Sequence, residues 1–363
     1  MYPSFSTYEN IPCGFPREDT QVGYVYDPVY LRHDTGDHPE NARRLEAIMS
    51  LLEKSGLLKQ LVHIQPRPAS PQELMLVHTP ELVAMVQAVA QRGGGWLDAD
   101  TVLSGDSYTA AIYAAGGVIS AVDAVMKGEV NSAFALVRPP GHHATPARAM
   151  GFCLFNNVAV ATRYALNRYG LERAAIIDFD VHHGNGTQEA FDADPRVLYI
   201  STHQYPYYPG SGRVEETGRG EAKGTKVNIP LPAGCGDAEY LQVFAQIIVP
   251  AVTRFRPQLI MVSAGYDIHG NEPLASMNVT TGGITRITGI IRGLAEKLCG
   301  GHLVFALEGG YDIEALSASV KATFEVLLGN DNIAGSPGEL KPESTAPDIA
   351  ALIKQVREVH TLP

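Results

Sequence analysis

Cysteine is scarce and scattered in this chain of 363 residues. The four cysteines, Cys13, Cys153, Cys235 and Cys299, form no CxxC pair, so the sequence predicts neither a disulfide framework nor a zinc site built from thiolates. Because proteins without disulfides are typical of reducing compartments, we expect a cytoplasmic location.

Charged residues are also few, at 18% of the chain, and basic residues are fewer than acidic ones. Lys and Arg number 28 and Asp and Glu number 39, which gives a formal net charge of −11. This balance argues against a general nucleic-acid binder or a protein that binds anionic membranes, and it favours cationic partners.

Leader signals and long hydrophobic runs are missing as well. The first 20 residues contain no basic flank followed by an apolar stretch, so we expect no signal peptide there. The longest candidate for a span, the uncharged run Ser107 to Val122, has 16 residues, most of them Ala, Gly and Ser. Since a bilayer-spanning helix needs about 20 apolar residues, we expect no membrane span.

The chain does contain an alternation of apolar, strand-like segments and segments of helical period, which predicts an α/β fold with a mainly parallel sheet. The predicted strands are Val22 to Tyr26, Ala133 to Val137, Ala174 to Ile177, Val197 to Ser201, Leu259 to Ser263 and Leu303 to Leu307. The predicted helices are Pro39 to Lys54, Glu81 to Arg92, Asp106 to Met126, Asn156 to Arg168, Asp237 to Arg254, Gly283 to Leu298 and Ile313 to Leu328.

We expect a single catalytic domain over residues 21–330, because no repeat or linker-like stretch divides it. Residues 1–20 form an N-terminal extension in this interpretation. Residues 331–363 form a C-terminal appendage with a short helix from Asp348 to Val359. Pro250 is expected to kink or interrupt its predicted helix.

Polar loops follow five of the predicted strands and carry His, Asp or Tyr. Because the carboxyl ends of parallel strands share one edge of a sheet, we expect these loops to meet at a ligand site. They are Arg138 to His143, Asp178 to Gly186, Ser201 to Tyr205, Ala264 to Asp267 and Glu308 to Tyr311.

The loop sequence DFDVHH is typical of a metal site. In extended backbone Asp180 and His182 point to the same side, with Asp178 just behind them. Asp267, after another strand, would complete three protein ligands and leave a position open for water and substrate. Two carboxylates and one imidazole favour zinc but leave Fe(II), Co(II) and Mn(II) as alternatives.

Two further loops carry candidate catalytic groups. His142 and His143 follow a Pro-Pro-Gly turn and can exchange protons near neutral pH, as general acid and base; the alternative is structural hydrogen bonding. Tyr311, after two glycines, is either a core aromatic or a phenol that donates to a developing oxyanion.

Six motifs then identify a family. In order they are RPPGHH, GFCLFNN, DFDVHHGNGTQ, PYYPGSG, SAGYD and LEGGY. As a set they resemble the zinc-dependent histone deacetylase and acetylpolyamine amidohydrolase superfamily, and they are most similar to its class II branch. The resemblance spans Val22 to Leu328 and implies the arginase/deacetylase fold, a parallel sheet of about eight strands flanked by helices. We expect a compact enzyme of prokaryotic type.

The resemblance assigns zinc to the three candidate ligands named above. It implies that His143 is the general base and acid, that His142 is its electrostatic partner, and that Tyr311 polarises the scissile carbonyl together with the metal. Some vertebrate class II relatives have His at the position of Tyr311 and are poor deacetylases, so Tyr supports catalysis here. Asn185 stands where class I relatives have Asp, which would leave His143 less basic.

The resemblance also implies a narrow substrate tunnel. Gly151 would accept the substrate amide through its backbone carbonyl, and Phe152 and Tyr208 would form the walls. The family usually has Phe at the position of Tyr208, so the tunnel would be more polar here. A carboxylate at the rim, Asp98 or Asp100, would orient the substrate backbone.

Structural monovalent cations, usually potassium, are implied at two places, and Arg44 matches an arginine that lines a proposed exit channel for acetate. The positions of the first cation site are Asp178, Asp180, His182, Ser201 and Thr202, and those of the second are the backbone carbonyls of Phe191, Asp194 and Val197.

The leading hypothesis for function is removal of acetyl or related acyl groups from lysine in proteins or peptides. Small acetylated amines such as acetylpolyamines are the alternative substrates. Relatives specialised for polyamines carry a gatekeeper Glu; Leu274 stands near that position, with Glu272 close by. A non-catalytic acyl-lysine binding module and a ureohydrolase are weaker alternatives. The oligomeric state stays open, a homo-oligomer being one alternative.

Overall fold

Eight parallel strands form the central sheet in the order β2-β1-β5-β10-β9-β6-β7-β8. The computed structural model describes residues 21–330 and 346–363; the expected N-terminal extension, with Cys13, and part of the appendage lie outside the described residues. The α/β fold with about eight parallel strands is confirmed. The sheet strands are β1 (Val22–Val25), β2 (Val62–Ile64), β5 (Ser132–Ala135), β6 (Ala174–Asp178), β7 (Val197–Gln204), β8 (Lys226–Leu231), β9 (Leu259–Ala264) and β10 (Leu303–Leu307).

All six predicted strands are present, but β2 and β8 are additional. The segment KVNIPL of β8 contains Lys, Asn and Pro, and β2 is a strand of only three residues at the sheet edge. Neither sequence therefore shows the continuous apolar run that predicts a buried strand. Strand β7 continues to Gln204, three residues beyond its predicted end. The polar side chains of this extension are buried rather than exposed in a loop. A separate antiparallel hairpin consists of β3 (Gly94–Trp96) and β4 (Val102–Ser104).

Helices cover the sheet in two packed groups, one built around α4 and α5 and the other around α1, α9 and α10. The helices are α1 (Arg43–Lys54), α2 (Pro71–Leu74), α3 (Pro80–Gln91), α4 (Ser107–Met126), α5 (Asn157–Tyr169), α6 (Asn185–Phe191), α7 (Asp237–Val243), α8 (Val249–Phe255), α9 (Thr281–Cys299), α10 (Ile313–Leu327) and α11 (Ala350–Val359). Short 3₁₀ turns occupy Pro28–Arg32, Leu57–Gln60 and Gly220–Ala222.

One predicted helix begins later in the structure, and another is interrupted at its proline. Helix α1 begins at Arg43 rather than Pro39, because the Asn41 side chain accepts the N–H of Arg43 and the preceding residues form turns. Around Pro250 the helix is interrupted as expected: a π-helical turn, Phe244–Ile248, separates α7 from α8. The wider turn accommodates the missing N–H of proline.

Helix α4 has nearly the bounds predicted for it and contains the uncharged run from Ser107 to Val122. It runs for 20 residues with a mean hydropathy of 1.5 in its most apolar window, so length and composition alone would allow a membrane span. In the fold it packs against β1, β5 and β10, and 67% of that window is buried. Its apolar composition is therefore accounted for by the protein core.

The three described cysteines are free and buried. Since all eight sheet strands run in one direction, the loops after β5, β6, β7, β9 and β10 emerge at the same edge, and the site lies there.

Candidate active site

Three side chains that could bind a metal ion meet at the carboxyl edge of the sheet. Asp180 and His182 lie on the loop after β6, and Asp267 lies after the neighbouring strand β9. Their ligand atoms all lie within 4.8 Å of one another. Nδ1 of His182 is 3.2 Å from Oδ1 of Asp180 and 3.3 Å from Oδ2 of Asp267. The structure thus brings together the three residues that the sequence predicted.

The donor set fits a divalent cation. Gly309 donates its N–H to Oδ2 of Asp180 at 2.8 Å, and Val181 donates its N–H to Oδ1 of Asp267 at 2.9 Å. These bonds fix both carboxylates. The remaining oxygen of Asp267, Oδ2, is buried and accepts no hydrogen bond from any residue that the structure describes. Since a buried carboxylate oxygen without a donor is costly, a cation between the three ligands is the natural partner.

The charges in this group are strongly coupled. Burial and the nearby Asp180 carboxylate raise the pKa of Asp267 to about 7. Burial alone would lower the pKa of His182, but the neighbouring carboxylates of Asp180 and Asp267 raise it to about 9. Two buried carboxylates facing one imidazole therefore favour a bound positive charge.

His142 lies beside this group with a carboxylate on its far side. Its Nδ1 is 3.1 Å from Oδ2 of Asp178, which also accepts the hydroxyl of Tyr199 at 3.0 Å. Burial alone would lower the pKa of His142, but the Asp180 and Asp178 carboxylates raise it well above its usual range. These two carboxylates therefore favour the protonated form of His142.

His143 has a neutral partner. Its Nδ1 is 2.8 Å from Oδ1 of Asn185, whose amide nitrogen donates to the sulfur of Met150. Because an amide oxygen only accepts, the hydrogen of neutral His143 lies on Nδ1 and leaves Nε2 free to accept a proton. Burial, with the neighbouring His142 and His182, lowers the pKa of His143 well below its usual range.

Glu308, which has no role among the sequence-based predictions, holds the histidine loop. Its buried carboxylate accepts the N–H of Gly141 at 2.6 Å and that of His142 at 3.1 Å. The signal that could have identified it is a carboxylate directly after a buried strand, in the motif LEGGY. Through these hydrogen bonds Glu308 connects the loops after β5 and β10.

Tyr311 is held from both sides of its backbone. The guanidinium of Arg44 donates to the carbonyl oxygens of Gly310 at 2.7 Å and Glu308 at 2.5 Å, and lies 5.0 Å from the centre of the Tyr311 ring. On the other side, Glu272 accepts the N–H of Tyr311 at 2.8 Å. Burial raises the pKa of the Tyr311 phenol well above its usual range, so the hydroxyl stays a donor.

Two aromatic rings flank the approach to these groups. The Phe152 ring lies 5.8 Å from that of Tyr311, and the Tyr208 ring lies 5.0 Å from that of His143, both edge to face. Gly151 has a φ of 57°, and a Cβ there would lie 2.5 Å from Cδ2 of His143. A glycine is therefore required at this position.

Tyr207 is a second residue absent from the sequence-based predictions. Its ring stacks on that of His182 at 5.5 Å, and its hydroxyl donates to the carbonyl oxygen of Leu274 at 2.5 Å. Leu274 is thus joined to the tyrosine that stacks on His182. The motif PYYPGSG offered two adjacent tyrosines, and the structure gives both a place beside the site.

The two rim carboxylates differ in their contacts. Oδ1 of Asp98 accepts the N–H groups of Asp100 at 3.2 Å and Thr101 at 2.9 Å, and its other oxygen lies 3.6 Å from Arg148. Asp100 accepts the hydroxyl of Thr101 at 3.1 Å, and that hydroxyl in turn accepts the N–H of Phe152. Asp98 stabilises its own loop, whereas Asp100 is connected through the Thr101 hydroxyl to the backbone of Phe152.

The positions expected to hold monovalent cations also differ. At the first, the register of β6 and β7 sets Asp178 beside Ser201, and the buried hydroxyl of Thr202 has no partner within the described ranges, which suits an oxygen-coordinated cation. At the second, the ammonium of Lys226 lies 2.9 Å from the carbonyl oxygen of Val197, so the residues there do not fit a further cation.

Comparison with known proteins gives a consistent result. A family model described as the histone deacetylase domain matches residues 38–327. The chain is 41% identical to "Histone deacetylase 10, chloroplastic" of Oryza sativa over 95% of this chain and 82% of that protein. It is 44% identical to a "Probable deacetylase" of Archaeoglobus fulgidus over 81% of this chain and 82% of that protein. The crystal structure of the HDA15 HD domain matches with a TM-score of 0.85 and 36% identity, over 94% of this chain and 96% of that one.

Proposed function

Because this chain belongs to the histone deacetylase family and is a hydrolase of that kind, we propose that it removes acetyl groups from the ε-amine of lysine in proteins or peptides. The observation that carries the proposal is the position of His143. Its Nδ1 is fixed by Asn185, and its ring lies 5.8 Å from that of His182 in the metal-binding group. Nε2 is thus available beside the place where a metal ion would activate water.

Asp180, His182 and Asp267 would hold this ion, and zinc is the metal that we favour. Nitrogen and oxygen ligands at zinc bond lengths of about 2.0–2.1 Å lie roughly 3.3 Å apart in a tetrahedron. The distances of 3.2 and 3.3 Å from His182 to the two carboxylates agree with this. When bound, such an ion acts as a Lewis acid and lowers the pKa of water.

The chain's own residues supply the proton transfers and the oxyanion donor. Nε2 of His143 accepts a proton from the attacking water and later returns one to the leaving amine. The hydroxyl of Tyr311 donates to the oxygen that becomes negative as the carbonyl is attacked. His142, whose protonated form is favoured by Asp178, stabilises the negative charge that develops nearby. The backbone carbonyl of Gly151 accepts the substrate amide.

The mouth favours acyl-lysine over acetylpolyamine substrates. Glu272 is buried, and its two oxygens accept backbone N–H groups from Tyr311 at 2.8 Å and Leu274 at 3.2 Å. Its burial and its hydrogen bonds to the backbone argue against a role for Glu272 as a polyamine-binding gatekeeper. The apolar Leu274 stands near the gatekeeper position in the sequence instead. Asp100 is our choice for the carboxylate that orients the substrate backbone.

Other properties remain predictions from the resemblance. They are a class II type of site with neutral Asn185, potassium at the first cation position, an exit channel beside Arg44 and a cytoplasmic location. Arg44 is fully buried against the turn before Tyr311, which is compatible with lining an internal channel.

The test is a comparison of kcat/KM on acetyl-lysine peptides, trifluoroacetyl-lysine, longer acyl-lysines and acetylated polyamines, each with and without a chelator. We expect the lysine peptides to be preferred and the chelator to abolish turnover. A preference for acetylpolyamines by more than tenfold would show that the substrate class is wrong. Turnover that survives complete metal removal would show that the mechanism is wrong.

A further inference from the structure

A buried ammonium group lies away from the active site, at the start of β8. Lys226 is the first residue of that strand, and its side chain is completely buried. Its Nζ donates to the carbonyl oxygen of Val197 at 2.9 Å, to the hydroxyl of Thr225 at 2.6 Å and to the carbonyl oxygen of Asp194 at 3.5 Å. Since an ammonium has three donors, three oxygens satisfy it.

The nearby carboxylates are paired with other residues. The carboxylate of Asp194 accepts hydrogen bonds from Arg163 and Arg196, and that of Asp192 accepts one from Arg219. The charge of Lys226 is thus met mainly by uncharged oxygens. This is how monovalent cations are bound in proteins, where backbone carbonyls replace the hydration shell.

The same carbonyls are those that the family resemblance assigns to a second monovalent cation. The carbonyls of Asp194 and Val197 contact the ammonium, and the carbonyl of Phe191 accepts the N–H of Asp194 at 2.9 Å. An ion at this place would lie against a second positive charge in a buried environment, which is strongly unfavourable.

We propose that the ammonium of Lys226 takes the place of the second monovalent cation in this protein. The turn between α6 and β7 is then stabilised by a charge that is covalently attached and cannot dissociate. The proposal concerns the fold and holds whatever substrate the enzyme uses. It leaves the first position, at Ser201 and Thr202, open to an ion.

The protonation of Lys226 is consistent with this role. Burial lowers its pKa to about 8, while the carboxylates of Asp192 and Asp194 act in the opposite direction. An amine with this pKa is mainly protonated at pH 7. The three hydrogen bonds to oxygen require the protonated form, because a neutral amine has only two N–H donors.

Two substitutions at Lys226 distinguish loss of the positive charge alone from loss of both the charge and the side-chain volume. Lys226→Ala removes the ammonium and leaves space in which a cation can bind, whereas Lys226→Met fills the volume with an apolar chain. The exposed Lys223, in the turn before the same strand, provides the matched control Lys223→Ala. Melting temperatures of all four proteins are measured in KCl and in LiCl at equal ionic strength.

We expect Lys226→Ala to be destabilised in LiCl and to recover most of the loss in KCl. Lys226→Met should be destabilised equally in both salts, and Lys223→Ala should follow the wild type. Potassium bound at the first position shifts all four proteins alike, so only the additional response of Lys226→Ala counts. Equal stability of Lys226→Ala and wild type in LiCl would overturn the proposal.

A crystallographic measurement keeps the proposal testable even if the variants do not fold. Wild-type crystals soaked in thallium(I) acetate are expected to show no anomalous peak between the carbonyls of Asp194 and Val197. A peak at that place in the wild type would show that a cation binds there in addition to Lys226, and the proposal would be wrong.

Discussion

The carboxylate of Glu272 accepts the backbone N–H of Tyr311 at 2.8 Å. The same carboxylate accepts the N–H groups of Asp312 at 3.4 Å and Leu274 at 3.2 Å. Glu272 therefore joins the loop at the tunnel mouth to the turn that carries the oxyanion donor. It is a positioning residue for Tyr311, since it acts through that residue's backbone.

Glu272→Gln replaces one accepting oxygen with an amide NH₂ that cannot accept. Hydrogen bonds to charged groups contribute about 1.5–3 kcal/mol, so we expect kcat to fall roughly tenfold or more as Tyr311 loses its position. The loss should be the same for acetyl-lysine peptides and acetylpolyamines. A loss confined to acetylpolyamines would instead identify Glu272 as a gatekeeper. Glu314→Gln, an exposed glutamate at the start of α10, is the control and should leave kcat unchanged.

Tyr311→Phe removes the phenolic hydroxyl and keeps the ring against Arg44 and Phe152. Loss of one oxyanion donor lowers turnover by about 10²–10³, and we expect that loss in kcat with little change in KM. Steady-state kinetics on an acetyl-lysine peptide measure it. Tyr208→Phe, which restores the residue usual in the family, is the matched control and should retain activity. Undiminished turnover of Tyr311→Phe would remove this tyrosine from the mechanism.

The fold and the metal group were predictable because their signals are local. Buried parallel strands appear as continuous apolar runs, and the loops after them carry the residues of the site. The pair Asp180 and His182 lies two residues apart in one loop, and the premise of extended backbone was enough to predict that they converge, although β6 ends at Asp178 and the chain bends there. Asp267 required the further assumption that the two strands share an edge.

The features that could not be predicted depend on contacts between distant segments. Strand β8 contains Lys, Asn and Pro, which are unusual in a buried strand, and its place in the sheet depends on pairing with β7. Glu308 and Glu272 are single carboxylates whose roles come from backbone N–H groups on other loops. Two acidic residues near the rim, Asp98 and Asp100, are indistinguishable in sequence and differ only in their partners.

Asp100→Asn tests the choice between these two. If Asp100 accepts backbone N–H groups of a peptide, its substitution should raise KM for acetyl-lysine peptides roughly tenfold, the effect of losing a charge-assisted hydrogen bond. KM for a small acetylated amine without a peptide backbone should not change. Asp98→Asn should instead lower the melting temperature by loosening the loop that Asp98 stabilises. A rise in peptide KM with Asp98→Asn alone would reverse the assignment.

Metal removal should change stability as well as activity, because Oδ2 of Asp267 is buried without a hydrogen bond in the described structure. We expect a chelator to lower the melting temperature and added Zn²⁺ to restore it. Asp267→Asn removes one of two facing buried carboxylates, so without metal it should melt above the wild type and respond little to Zn²⁺. Differential scanning fluorimetry with metal analysis measures this. An equal Zn²⁺ response in both proteins would contradict the ligand role.

Glu40 provides a stability prediction with a defined pH dependence. Its fully buried carboxylate forms two hydrogen bonds with Arg138, at 2.6 and 2.9 Å, and one with Arg44 at 3.2 Å. Burial alone would raise the pKa of Glu40, but Arg138, His33 and Arg44 outweigh it and lower the pKa to about 2. A carboxyl with a lowered folded-state pKa stabilises the protein above its ordinary pKa of 4.5, and this contribution is lost as the pH falls toward 2.

Glu40→Gln leaves two buried guanidinium groups without their carboxylate, so we expect a loss of about 3–5 kcal/mol at pH 6. The difference in unfolding free energy from the wild type should shrink as the pH falls from 4.5 toward 2, because the unfolded wild type then binds a proton at Glu40 that the folded state does not. Urea unfolding of both proteins at pH 6 and pH 3 measures it. Glu46→Gln, an exposed residue on the same helix as Arg44, is the control and should stay close to the wild type at both pH values. A difference for Glu40→Gln that stays constant from pH 6 to pH 3 would mean that the network does not depend on the charge of Glu40.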